Sequence, residues 1–464
     1  MSSNETGRAD RIGTGRISVA LIAAAILSVL PSASGAETLT SALSSAYMSN
    51  PDLNAARANM RAVDELVPQA LAGWRPQVFG SGFVGHTRSR TSPGGTNEFS
   101  TAAIGLTLSQ PIFRGFQTVN STKSAESTVR SNREVLRNSE QNTLFSAAQA
   151  YMSVLTDQAI VELQKQNIEV LSEQLRATRD RFQVGEVTNT DVAQSEAALS
   201  GAYTQLNTAE ANLLSSKAVY RQVIGRDPVG LAPGAPAKSI PSTLDDALRL
   251  AHSDHPAIIA SIYAEEAAAY AVKVAEGTLL PQVSLEGSVD HAINPSGIID
   301  NSTSAQIGLQ LTVPIYQGGF EYSQVREAKE MRTQALLQID SARQQVRAAV
   351  VSAWGSLQSA TASITSAQAQ VKAAQIALDG VREEAKVGQR TTLDVLDSEQ
   401  TLLDSKVSLV TAESDRVVAS YALLSAVGRL TAGYLRLAVD QYQPERHYEQ
   451  VRDKWFGLRT PSGQ

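Results

Sequence analysis

One helix turn, written twice, constrains this chain more than any other feature. Gln183-Val-Gly-Glu-Val-Thr-Asn-Thr-Asp191 and Lys386-Val-Gly-Gln-Arg-Thr-Thr-Leu-Asp394 share a layout. Gly185 and Gly388 sit where an ending helix needs a left-handed residue, which glycine supplies without a Cβ clash. Thr188 with Asp191, and Thr391 with Asp394, have the spacing of a capping box that opens the following helix. Each turn therefore joins two antiparallel helices. The glycines lie 203 positions apart (388 − 185), as do the aspartates (394 − 191). A fixed offset of this size marks an internal duplication.

The offset of 203 holds from Pro111 and Pro314 to Gly225 and Gly428. Packed helices tolerate no indel, because one added residue rotates all that follows by about 100°. Upstream, Leu39 with Leu244, Pro51 with Pro256 and Pro76 with Pro281 are 205 apart (for example 244 − 39), so the intervening segments absorb the change. Those segments have a different period. Ile104, Leu106 and Leu108 alternate with small or polar residues, as do Ile307, Leu309 and Leu311, and Val283, Leu285 and Val289. Period two predicts strands with one apolar and one polar face. Gln77 to His86 reads as a weaker fourth strand. Thr91-Ser-Pro-Gly-Gly and Asn294-Pro-Ser-Gly are the turns, giving one hairpin per half. Pro111 and Pro314 are expected to end strands, since proline donates no ladder hydrogen bond. Phe113 and Tyr316 beside them suit a membrane interface. Gln310, Glu286 and Asp290 fall opposite the aliphatic stripe, as a barrel lumen requires.

Two helix patterns of 63 residues, Val119 to Arg181 and Tyr322 to Glu384, each predict a rod of roughly 95 Å at ~1.5 Å per residue. Leu144, Ala148, Tyr151 and Leu155, then Ile168, Leu171, Leu175 and Phe182, follow coiled-coil spacings. Shorter helices are expected over Thr190 to Ile224 and Leu393 to Val427, and, with breaks at Asn50-Pro51 and His255-Pro256, over Leu39 to Ala72 and Leu244 to Gly277. Two short helices stacked end to end match one long one, giving each half a wall two helices wide. Aromatics are only 5% of the chain, which fits narrow small-residue seams better than a globular core.

Arg8, Arg11 and Arg16, the apolar run from Ile17 to Leu30 and the small residues ending at Ala36 form a secretory signal pattern. The expected organisation is a signal segment at 1–36, a first repeat at 37–226, a Pro/Gly-rich linker at 227–242, a second repeat at 243–429 and a tail at 430–464. There is no cysteine, so an exported chain of this size relies on packing or assembly. Net charge is −6, and residues 1–36 carry three arginines against Glu5 and Asp10, which leaves about −7 and argues against nucleic acid as partner. Four strands cannot close a barrel, and open edges are not tolerated in lipid, so several copies must share one. Three copies would give twelve strands and a matching helical tube.

No nucleophile elbow, P-loop or dinucleotide fingerprint is present, so neither enzyme nor cofactor is read. His252 and His255 are spaced i, i+3, but their counterparts Tyr47 and Asn50 carry no metal chemistry; helix-surface residues are the expectation, and no metal site is assigned.

The duplicated plan, the Pro-Ile-Phe and Pro-Ile-Tyr-Gln-Gly-Gly strand ends and the paired Val-Gly-x-x-Thr-x-x-Asp-Val turns resemble the TolC family of outer-membrane channel proteins, over nearly all of the mature chain. The tail, with Leu430-Thr-Ala-Gly-Tyr-Leu and Lys454-Trp-Phe-Gly, resembles the branch serving type I secretion and multidrug efflux. The resemblance implies a mainly α fold with a membrane β-barrel: a homotrimer whose duplicated helical hairpins form an α-helical tunnel through the periplasm, below a shared twelve-stranded barrel in outer-membrane lipid. It implies docking with a periplasmic adaptor and an inner-membrane pump driven by ATP or protons. It also implies an entrance at the helix turns, narrowed by acidic rings to which Asp394, Asp397 and Asp191 correspond, with Gln194 in the fourth place. A basic residue, here Arg390, would lock the entrance against Thr190 and Asp191; the family's assisting tyrosine is replaced by Ala385. A periplasmic coiled-coil adaptor or structural protein is the alternative, and a metal-efflux outlet shares the fold.

Overall fold

The structure, a computed structural model, describes residues 36–461 and 463, so all of the expected signal segment except Ala36 lies outside the described residues. The first repeat opens with α1 (Leu39–Ser49), α2 (Pro51–Asp64) and α3 (Leu66–Leu71), followed by a 3-10 turn. Next come β1 (Gln77–Thr91), β2 (Gly95–Arg114), α4 (Gln117–Gln183) and α5 (Asn189–Ile224). The second repeats the order with α6 (Leu244–Asp254), α7 (Pro256–Gly277), β3 (Gln282–Ile293), β4 (Asn301–Thr312), α8 (Phe320–Lys386) and α9 (Thr392–Ala426), and α10 (Pro444–Val451) closes the tail. Both long helices have 67 residues, about 100 Å each. The expected helix over Leu39 to Ala72 is broken a second time, at Glu65.

Each short stack is continuous in space. Ile224, the last residue of α5, reaches the α1–α2 break, where Ser49 Oγ donates to its carbonyl at 2.9 Å and Asn50 Nδ2 donates to the Val223 carbonyl at 3.0 Å. The end of α9 meets the α6–α7 break in the same way, with Arg429 Nη2 bound to Asp254 Oδ2 at 2.6 Å. The approach is so close that a Cβ on Gly428, at φ +81°, would fall 2.7 Å from the His255 Cα. The breaks cap their next helices. Asn50 Oδ1 accepts from the amides of Asp52 and Leu53, and His255 Nδ1 accepts from Ala257. His255 is therefore a half-buried helix cap rather than a surface residue, and burial, aided by Arg137, pushes its pKa down to about 4.

The main core gathers at mid-height, where Leu43, Tyr47, Leu144, Ala148, Tyr151, Tyr220, Leu423 and Leu424 are buried together. The Tyr151 hydroxyl lies 2.7 Å from the carbonyls of both Glu37 and Ala232, and Ala237 N donates to Ser420 Oγ, so the connector between the repeats is laced onto the wall.

The four strands form one antiparallel sheet in the order β1-β2-β3-β4. Its register sorts the side chains by face. Gly80 pairs with Leu106 and Leu106 with Val289; Leu285 pairs with Leu309 and Gly287 with Ile307, so one face is an aliphatic belt. On the other, Ser81, Gly105, Asp290 and Ser304 share a row, as do Ser109, Glu286 and Gly308, and Ser109 Oγ donates to Glu286 at 2.9 Å. Phe79, Phe83 and Phe99 are the large apolar side chains on that polar face. A Cβ on Gly105 would strike the Asp290 carboxylate, so glycine leaves that carboxylate its place over the sheet.

Two expectations about the strands need correction. The first hairpin is much longer than predicted, because the ladder runs unbroken from Gln77↔Ser109 to Thr91↔Gly95 and tolerates the glycines of β1. Pro111 does not end its strand. β2 continues to Arg114, and a register shift between Pro111 and Phe113 accommodates the missing N–H. Pro314, in contrast, lies two residues past the end of β4.

Candidate functional site at the helix turns

At the end of the helical wall remote from the sheet, α4 and α8 turn into α5 and α9. The two terminations are the same motif. Glu186 N donates to the Arg181 carbonyl and Gly185 N to that of Phe182; Gln389 does so to Glu384 and Gly388 to Ala385. These paired bonds satisfy the last free carbonyls, and the glycines at φ +81° and +78° provide the left-handed step. Both capping boxes form. Thr188 N donates to Asp191 Oδ2 at 2.9 Å while Asp191 N donates to Thr188 Oγ1 at 3.3 Å; for Thr391 and Asp394 the distances are 2.9 and 3.2 Å. The hydroxyls also donate, at 2.6 and 2.8 Å. The side-chain and backbone bonds from Thr188 lower the Asp191 pKa, and the backbone and side-chain bonds from Thr391 lower that of Asp394. Both carboxylates are thus held ionised.

The charges around these caps are arranged in opposite senses. In the first turn Arg181 precedes the glycine and binds Glu186 after it, at 3.2 Å. In the second Glu384 precedes it and binds Arg390 after it, Nε to Oε2 at 2.8 Å. The Arg390 guanidinium is exposed, and its proton is held more firmly by Glu384 and, at longer range, by Asp394. Arg390 therefore contacts its own hairpin, not Thr190 and Asp191 as the lock predicted. Glu384 lies on the same turn and takes the guanidinium first, whereas Asp191 is occupied by the Thr188 amide and hydroxyl. Thr190 is exposed at the start of α5.

Asp397 lies one turn into α9, exposed, with its carboxylate in no ion pair among the described residues. Gln194 occupies the equivalent place on α5. Behind these positions the two hairpins touch: Leu396 of α9 is buried against Leu171 of α4 and Ala202 of α5.

A pair of contacts escaped the sequence reading. Arg179 binds Glu196 at 2.5 Å and Arg382 binds Glu399, each tying the two arms of a hairpin one step behind the turn. Both residues of each pair are separated from their counterparts by the same 203 positions (382 − 179 and 399 − 196), so the repeat offset contained the signal. Among the described residues no cluster of three or more His, Asp or Glu side chains is placed to hold a metal, and no helix is long and apolar enough to cross a membrane.

Outer membrane efflux protein BepC of Brucella suis biovar 1 (strain 1330) is 45% identical over 448 residues, spanning 96% of this chain and 97% of that one. Outer membrane protein TolC of Vibrio cholerae is 25% identical over 420 residues, spanning 89% and 95%. In three dimensions the chain superposes on the Campylobacter jejuni CmeC outer membrane channel with a TM-score of 0.76 at 18% identity, over 89% of each chain. The outer membrane efflux protein family matches residues 42–226 and 247–429, the two repeats with their hairpins and turns. With a helix-built wall, a sheet that is aliphatic on one face and polar on the other, and a duplicated turn at the far end, the chain belongs to the outer membrane efflux protein family.

Proposed function

We propose that three copies of this chain form the outer-membrane exit duct of a tripartite efflux or type I secretion system. The observation that carries the reading is the sheet. Its belt of Leu106, Val289, Ile307 and Leu309 is exposed, its opposite face is polar, and β1 and β4 each have a single neighbour among the described residues. In lipid such edges must be paired, so β4 of one copy meets β1 of the next and twelve strands close. The helical walls then continue the conduit into the periplasm, and the helix turns form its entrance.

In this reading Asp397, with Asp394 and Asp191, lines the entrance. Exposed carboxylates repeated around an axis favour cations. Arg390 and Thr190 regulate its width, with Arg390 exchanging between Glu384 and a neighbouring hairpin. The duct is passive. An inner-membrane pump supplies the energy, and a periplasmic adaptor docks on the helical hairpins. Residues 1–36 serve as the export signal and 227–242 as the strap between repeats.

The test is fractionation followed by reconstitution. The protein is expected in the outer-membrane fraction, as a trimer after crosslinking, and to open cation-preferring channels in planar bilayers. Recovery as a soluble periplasmic protein, the behaviour of an adaptor, would defeat the reading.

A further inference from the structure

The C-terminal tail follows a defined course. Tyr442 N donates to Tyr47 Oη at 3.0 Å, near mid-height. Glu445 pairs with Arg133 of α4, and His447 Nδ1 meets the buried Asp64 of α2 at 2.9 Å. Arg452 then reaches Glu126 of α4 at 3.6 Å. From position 133 to 126 the contacts climb about 10 Å along α4 toward its first residue, which follows the end of β2. The climb ends at the foot of the sheet. Arg75, two residues before β1, donates through Nη1 to the Lys454 carbonyl at 2.9 Å, and its guanidinium lies 4.9 Å over the Trp455 ring. Trp74, beside it, accepts at its carbonyl from Gln110 Nε2 of β2. Gln110 pairs with Leu285, so it stands on the aliphatic face of the sheet.

What is delivered there is an ordered loop. Lys454 Nζ donates to the Arg459 carbonyl at 2.5 Å, closing Lys454-Trp455-Phe456-Gly457-Leu458-Arg459, and Gly457 at φ +109° makes the bend. Within it Phe456 is 89% exposed, Leu458 fully exposed and Trp455 62% exposed, with Trp74 at 41% next to them. Arg452, Lys454 and Arg459 surround these groups against the single Asp453. A fixed loop that turns two large apolar side chains outward needs an apolar neighbour.

We propose that this loop is a membrane-interface anchor: Trp455, Phe456 and Leu458 enter the periplasmic leaflet of the outer membrane, while Arg452, Lys454 and Arg459 meet its phospholipid phosphates. The inference rests on the sheet being the membrane-spanning part. Three features select lipid as the occupant. The loop lies at the foot of β1 and continues the aliphatic belt downward. Tryptophan and phenylalanine with flanking cations are the composition of a bilayer boundary. Anionic headgroups complement the net positive charge of the segment.

The experiment uses the full chain reconstituted in phosphatidylethanolamine–phosphatidylglycerol vesicles, with one tryptophan retained at a time. Trp74→Phe with Trp354→Phe leaves Trp455. A second protein lacks all three native tryptophans and carries Ile307→Trp, reporting on the belt. A third retains only Trp354, roughly 50 Å along α8 from the sheet. Lipids brominated near the headgroup are expected to roughly halve Trp455 emission, the behaviour of an interfacial ring. Lipids brominated deep in the chains should quench the Ile307→Trp reporter, and neither should affect Trp354. Adding Phe456→Ser and Leu458→Ser is expected to return Trp455 to the Trp354 level. Quenching of the belt reporter without quenching of Trp455 overturns the anchor and assigns the loop to a protein neighbour. Absence of quenching at both overturns the barrel reading, and the anchor with it.

Discussion

The two helix turns have the same backbone and different charges. Both end in a paired-bond motif on a glycine, both restart on a threonine–aspartate box, and both are tied one step back by an Arg–Glu bridge. Their ion pairs, however, run in opposite directions, Arg181 to Glu186 against Glu384 to Arg390. Only the second turn carries an unpaired acid one turn further in, Asp397 against Gln194. The caps are needed wherever a long helix must reverse, so they occur twice. The reversal does not require the charges, and at the proposed entrance their difference would give the two halves separate tasks.

The largest effect that would sharpen this comparison is on conductance. Arg390→Ser frees Glu384 and should raise single-channel conductance several-fold in planar bilayers, whereas Arg181→Ser should leave it near the parent value. Equal effects would mean that the two turns contribute alike. Selectivity comes next. Asp397→Asn is expected to lower the cation preference read from reversal potentials, and Gln194→Asp to increase it by restoring a fourth acid per chain. The caps should behave identically: Thr188→Ala and Thr391→Ala each remove a capping box and cost about 1 kcal/mol, read as protease sensitivity at the turns. A large difference between them would break the claim of a shared backbone role.

The smallest effect tests the other duplicated junction, Asn50 against His255. Burial lowers the His255 pKa to about 4, so the fold accepts the neutral ring. As pH falls from about 6.5 toward 4, the unfolded chain takes up the proton first and stability declines across that window. His255→Asn supplies the cap of the first repeat without a titrating group. Urea midpoints measured across the window should fall less steeply for the variant than for the parent.

Much of this was legible because local chemistry and repetition agree. The turns, their caps, the long helices and the sheet faces all follow from spacing along the chain, and the offset of 203 checked one half against the other. What spacing does not encode is competition between partners. Arg390 could be read as basic and near the turn, but not that Glu384, six residues earlier, would hold it. Pro111 carries a sound local rule, yet β3 supplies enough pairing on both sides of the register shift to carry the strand past it. The tail was opaque for a third reason: Arg75 and Trp455 are 380 positions apart (455 − 75) and have no counterpart in the other half.

The bare margins of the sheet have a genetic meaning. In the proposed trimer, a chain that owns a third of a closed wall cannot be compensated by two sound siblings, since a copy unable to zip along β1 or β4 leaves a slit that the others have no strand to fill. In cells making intact and edge-broken versions in equal amounts, most assemblies would include at least one faulty member. Lesions at β1 or β4 should therefore act dominantly, whereas loss of one allele altogether would be silent.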